Sequence, residues 1–166
     1  KKKKKKKKGE RGPVNVSGYI QVHYKHRFEA SGDGTVEPGA FRVTRARVSL
    51  SGDLKSWASY VLEIDPRAPT IMGVMRDAYL ELRVLPYHRL YLGQRKTPFG
   101  YENGVSSTEA YTVTRSELGE GPARGFTLRD IGVWVKGRIP LGRGFAFEDE
   151  LALVNGSGMN VQIDDT

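Results

Sequence analysis

A set of basic side chains stands where strand alternation or a long loop would expose it to water: Lys25, Arg27, Arg45, Arg47, Arg83, Arg95 and Arg115. A guanidinium offers a planar fork of donors that meets two oxygens of a phosphate or carboxylate at once. It stays charged at any working pH. Set around a confined channel, such groups make a field that selects anions. The carboxylates of Glu63, Asp77 and Glu81 share the polar positions and temper that field. The plainer alternative for any one arginine is that it hydrates a water-filled interior or pairs with an acid across neighbouring strands.

Other chemistries find little support. The chain has no Gly-x-Ser-x-Gly elbow, no P-loop and no His-Glu-x-x-His, so no enzyme is expected. His23, His26 and His88 lack metal-ligand spacing, and neither metal nor cofactor is expected. Gly119-Glu120-Gly121 and Gly142-Arg143-Gly144 are too short to cradle a phosphate and read as turns. Glu148 and Glu150 share a strand face, a common and unspecific spacing.

The elements that must position these groups are strands. From Val14 to Phe28, Val14, Val16, Gly18, Ile20, Val22, Tyr24, His26 and Phe28 alternate with Asn15, Ser17, Tyr19, Gln21, His23, Lys25 and Arg27. A strand puts successive side chains on opposite faces, so one face is apolar and aromatic and the other polar and basic. The same period predicts strands over about 41–52, 57–65, 74–85, 89–96, 131–139 and 145–155. Short turns are expected at Gly52-Asp53, Pro86-Tyr87-His88 and Leu141-Gly142, with longer connections at 30–40, 66–73 and 98–125. The last of these is roughly 28 residues long, beyond the length of about 15 at which loops are usually functional or disordered. Residues 106–111 are expected to make a helical turn capped by Ser106 or Ser107.

Hydrophobic residues make up 38% of the chain and mean hydropathy is -0.50. No stretch approaches the roughly 20 apolar residues of a membrane-spanning helix. A membrane β-barrel remains open, because only alternate strand residues need be apolar. Short turns alternating with long loops are the asymmetry of outer-membrane barrels. Tyr24, Phe28, Trp57, Tyr60, Tyr87, Tyr91, Trp134 and Phe145 fall mostly near strand ends; in a barrel they would form interfacial girdles, in a soluble sheet ordinary core, and the strand lengths favour girdles. An odd number of strands without closure predicts an incomplete barrel, since lipid does not tolerate open sheet edges.

The net charge of +8 equals the eight lysines Lys1–Lys8; the remaining 19 basic residues match 19 acidic ones. Basicity therefore argues for nucleic acid only through the tail, and no specific nucleic-acid partner is expected. Residues 1–13 are expected to be disordered, because a like-charge run repels itself. The tail is an artefact, a solvated natural tail or a binder of anionic lipid or nucleic acid. A polar Gly9-Glu10-Arg11-Gly12-Pro13 follows it, so the lysine run does not read as a signal peptide. Cysteine is absent, which is compatible with the cell envelope.

Gly93-Gln94-Arg95-Lys96-Thr97-Pro98-Phe99-Gly100-Tyr101-Glu102 resembles a stretch of the phosphate-selective porin O and P family. Phe41 to Leu50 with Arg45-Ala46-Arg47, Asp77-Ala78-Tyr79-Leu80, Thr114-Arg115-Ser116, Asp130-Ile131-Gly132-Val133 and Val154-Asn155-Gly156-Ser157-Gly158 resemble further landmarks in the same order. The resemblance implies an all-β, antiparallel up-and-down transmembrane β-barrel in the bacterial outer membrane. Residues 14–166 would form the N-terminal part of a barrel of about sixteen strands, in a homotrimer contacting outer-membrane lipid. The 98–125 segment would fold into the lumen and narrow it. Ser106, Ser107 and Arg115 match hydroxyl and guanidinium positions of the family's constriction. With Lys25, Arg27, Arg45, Arg47, Arg95 and Asp77 they form the expected pore-lining set. Asn103 stands where better-studied members carry a lysine, Thr114 replaces the acidic neighbour of Arg115, and Thr44 replaces one arginine of the second strand. These departures weaken the expectation of strict phosphate selectivity.

The function so implied is passive diffusion of small anions, phosphate or polyphosphate among them. The alternative is a polyanion-binding or structural all-β surface protein without channel activity.

Overall fold

The computed structural model describes residues 13–26, 39–68, 71–106, 108–109 and 128–161. Alternating apolar and polar side chains form strands because one face can then meet a different medium from the other. They produce β1 (Asn15–Lys25), β2 (Ala40–Lys55), β3 (Ala58–Ile64), β4 (Met75–Leu82), β5 (His88–Lys96), β6 (Arg129–Gly142) and β7 (Phe145–Val154). Two single turns of helix, α1 (Ile71–Val74) and α2 (Tyr101–Gly104), follow β3 and β5. Every strand pairs antiparallel with the next in the chain, giving one sheet in the order β1 to β7. Among the described residues the sheet is not closed, with β1 and β7 at its two edges. No helix among them is long and apolar enough to cross a membrane.

The distribution of burial is the reverse of a water-soluble sheet. Val16, Leu62, Leu80, Val133, Leu151 and Leu153 all lie on one face and all are exposed, Leu153 by 79%. The buried apolar residues among those described are Ala58, Tyr91 and Trp134, whereas Arg47, Asp77, Glu81, Arg129 and Asp130 are buried polar or charged. A soluble domain of this size buries its aliphatic side chains. Here aliphatic groups face outward and charge faces the opposite side.

Two turns differ from their predicted places. Gly52-Asp53 lies inside β2, where Gly52 pairs with Tyr60 and Asp53 with Ser59, and the chain reverses at Ser56-Trp57. A bulge between Asp53 and Lys55 absorbs the irregularity that Gly-Asp suggested. Likewise Pro140 pairs with Ala146 within β6, and the reversal falls at Arg143-Gly144, both at positive φ (51° and 83°). That geometry suits a two-residue hairpin turn. Tyr91 and Trp134 do not belong to a girdle: both are buried on the charged face. Trp57, Tyr87 and Phe145 are exposed at the short-turn end. Tyr24 and Phe41 pack against each other near the opposite end, with ring centroids 5.1 Å apart.

Gly93 has φ of +126°, and a Cβ there would strike the carbonyl oxygen of Ala78 on the neighbouring strand. Gly93→Ala is expected to destabilise the folded sheet by about 1–3 kcal/mol. A lowered midpoint of thermal unfolding in detergent, followed by circular dichroism, would show it; an unchanged midpoint would refute this account of Gly93.

Candidate functional site

The charged face is organised by cross-strand pairing. Tyr19 on β1 lies opposite Arg47 on β2, and Glu63 on β3 lies opposite Asp77 on β4. Arg47 donates from Nη1 to Glu63 at 2.9 Å, and its Nε is 3.9 Å from Asp65. Arg129, at the start of β6, grips Asp77 with two parallel bonds: Nε to Oδ1 at 3.1 Å and Nη2 to Oδ2 at 2.9 Å. Its Nη2 also lies 3.8 Å from Glu63. Arg129 is only 2% exposed, so this fork is a desolvated ion pair and not a surface contact. The cluster borders a cleft of about 230 Å³ whose wall includes Tyr19, Arg47, Glu63, Arg95, Ser106 and Arg129.

Arg95 is held differently. Its guanidinium lies 4.1 Å from the Tyr91 ring centroid, 5.6 Å from Tyr79 and 5.7 Å from Trp134, with Glu150 3.1 Å away. A cation over aromatic faces gains electrostatic attraction without needing water on every side. Toward the short turns, Arg83 donates to Glu81 at 3.0 Å and to Asp53 at 3.1 Å, and Arg89 donates to Glu81 at 2.8 Å. Hydrogen bonding to Glu81 pushes the Arg83 pKa above its already high ordinary value, so this group stays charged.

The predicted residues thus separate. Arg47, Asp77, Arg95 and Ser106 come together at the cleft. Arg45 lies away from it, donating to Gln21 at 2.6 Å, and Lys25 is exposed at the end of β1. Ser106 accepts from the Thr108 N–H at 3.3 Å and begins a turn closed by the Glu109 N–H bonding to its carbonyl at 3.0 Å. Arg27, Ser107 and Arg115 lie outside the described residues, as does most of the 98–125 segment. Residues 1–12 also lie outside them.

The sequence reading missed Arg129, which precedes the alternation predicted for its strand and finds a partner 52 residues away. The acidic residues of the site were legible as polar-face positions, but their pairing was not.

Two of the departures noted in the sequence have structural roles. Thr44 is the residue left over at the β1–β2 register shift, where Gln21 pairs with Arg45 and Val22 with Val43. Its hydroxyl donates to the Gln21 carbonyl at 3.1 Å. Asn103 is 1% exposed; its amide donates to the carbonyls of Thr97 at 2.7 Å and Leu128 at 3.2 Å. It therefore ties together the two ends of the long connection between β5 and β6.

An antiparallel up-and-down sheet with an outward aliphatic face and an ion-paired inner face defines a wall of an outer-membrane β-barrel. The model of the family described as phosphate-selective porin O and P matches residues 14–144, and the chain belongs to that family. It is accordingly a porin of the bacterial outer membrane, a channel protein in general character. No curated protein and no solved structure matches it.

Removing Arg129 would leave the Asp77 carboxylate buried without its partner. Arg129→Met is expected to destabilise by about 3–5 kcal/mol, and Arg129→Met with Asp77→Leu by much less. Chemical unfolding of both variants in detergent measures the difference; equal losses would mean that the unpartnered Asp77 carboxylate carries no penalty of its own. Asn103→Lys is expected to cost stability and to increase open-channel current noise. A quiet channel of unchanged stability would show that the two loop ends need no tie at this position.

Proposed function

We propose that the charged face lines a water-filled pore through which small anions, phosphate or polyphosphate among them, pass by passive diffusion. The observation that carries this reading is the inverted burial: aliphatic side chains exposed on one face, and arginines gathered on the other around a cleft. Outward aliphatic groups suit hydrocarbon. Guanidinium groups in a confined channel favour anions over cations.

In this reading Arg47, Arg95, Ser106 and Asp77 contribute to the pore wall near the cleft. Lys25, Arg27 and Arg45 act further along the path, toward the end of β1. Ser107 and Arg115 join through the 98–125 connection, which narrows the lumen. Residues 14–166 supply wall strands, the aliphatic face meets outer-membrane lipid, and the assembly is a homotrimer.

Single-channel recording of the full-length protein in a planar bilayer tests this, with selectivity read from the reversal potential in a salt gradient. Anion-selective steps that phosphate blocks, and that Arg115→Ala makes less sensitive to phosphate, are expected. Cation-selective steps would keep the barrel and overturn the anion assignment. Folded protein without steps would favour the structural or polyanion-binding alternative.

A further inference from the structure

The carboxylates at the cleft are not equivalent. Asp77 takes both arms of the Arg129 fork, a geometry that is specific and hard to exchange. Asp65 approaches Arg47 only to 3.9 Å, too far for a hydrogen bond. Glu63 holds Arg47 through a single bond of 2.9 Å and stands 3.8 Å from Arg129. Its side chain keeps 20% of its exposure, against 8% for Arg47 and 2% for Arg129. The Arg47 Nε is buried beside Asp65 and makes no hydrogen bond, so the bond to Glu63 is the guanidinium's single short contact with a carboxylate. The Glu63 carboxylate thus occupies the space between two arginines on the cleft wall, where an incoming oxyanion would be drawn.

We propose that Glu63 is a specificity-determining residue that acts as a tethered competitor. Its carboxylate engages the Arg47–Arg129 pair in place of a permeating phosphate, so phosphate must displace it to bind. The proposal rests on the anion-pore reading above. In physical terms, a phosphate in the cleft meets the attraction of Arg47 and Arg129 and the repulsion of Glu63 at close range, beside an Asp77 carboxylate that the Arg129 fork already engages. At about 4 Å in a water-filled channel, that repulsion weakens binding by about five- to tenfold. Such a wall favours throughput over retention: anions are attracted to the arginines but do not stay.

The test is phosphate block of chloride current through the full-length protein, compared among wild type, Glu63→Gln, Glu63→Ser and Glu63→Asp. Glu148→Gln serves as control, since Glu148 is 62% exposed and pairs with Arg138 away from the cleft. Both neutral variants are expected to bind phosphate about five- to tenfold more tightly, with slower release. Glu63→Asp and Glu148→Gln are expected to resemble wild type. The serine variant guards against misfolding of the glutamine variant, and heat-resistant strand content in detergent identifies folded protein.

Unchanged or weaker block in folded neutral variants, with anion-selective wild type, would overturn the role of Glu63 and leave the pore reading intact. If wild type shows no phosphate block and the neutral variants acquire it, the competitor role holds and the wild-type wall is closed to phosphate by its own carboxylate. Absence of block in every form, with chloride current intact, would overturn the role of Glu63 and the phosphate part of the pore reading while the anion pore stands.

Discussion

A sheet that turns its aliphatic side chains outward must hold its other face together by means other than hydrophobic burial. In this protein that means opposite charges placed on adjacent strands or on strands one apart. Arg47 and Glu63 join β2 to β3, Arg129 and Asp77 join β6 to β4, and Arg95 and Glu150 join β5 to β7. Lys136 and Glu150 add a β6–β7 link. Each charge is costly to bring out of water alone and tolerable only with its partner in place. The pairing register and the charge pattern therefore constrain each other: a one-residue slip of a strand would send its member of each pair to the lipid side and leave the other without its partner.

The same lattice shapes what the face offers to a solute. A row of unpaired arginines would present a strong, uniform positive field. Here most of the field is cancelled within a few ångströms: Arg47 meets Glu63 and Asp65, and the aromatic-backed guanidinium of Arg95 meets Glu150. The aromatic rings matter to the architecture as well as to the charge. Tyr79, Tyr91 and Trp134 fill the space around a long, flexible side chain and fix its direction.

Much of this was readable from period-two alternation, because lipid on one side and water on the other enforce a strict choice at every residue. All seven strands and their polar faces follow from it. Strand ends were less legible. Gly52-Asp53 and Pro140 carry turn-forming chemistry, yet the hydrogen-bonded ladder runs through both because bulges accommodate them. Partnerships across long separations were not legible at all. Asp130 and the Asn155–Gly158 turn looked like separate landmarks, but the Asp130 carboxylate accepts from the Gly156 and Gly158 N–H groups at 3.0 and 3.4 Å. Asn160 then reaches Gln94 and the Met75 carbonyl, carrying the chain after β7 back over two strands. Gln94 and Arg129 show the same limit: residue type gave their polarity, and only the fold gave their partners.

On the aliphatic face toward the short turns, one row breaks the pattern. His88 on β5, Gly137 on β6 and Asp149 on β7 lie directly side by side, and the histidine Nε2 comes within 3.4 Å of the Asp149 carboxylate over the bare glycine. The next row inward is Leu90, Val135 and Leu151. An ionisable pair is expensive in hydrocarbon and inexpensive among headgroups. With Ile139 and Phe147 paired on the same face beyond it, the row of His88, Gly137 and Asp149 belongs to the zone where acyl chains give way to the polar layer. That single row in the sheet sets how deep the wall sits in its bilayer, as a waterline does on a hull.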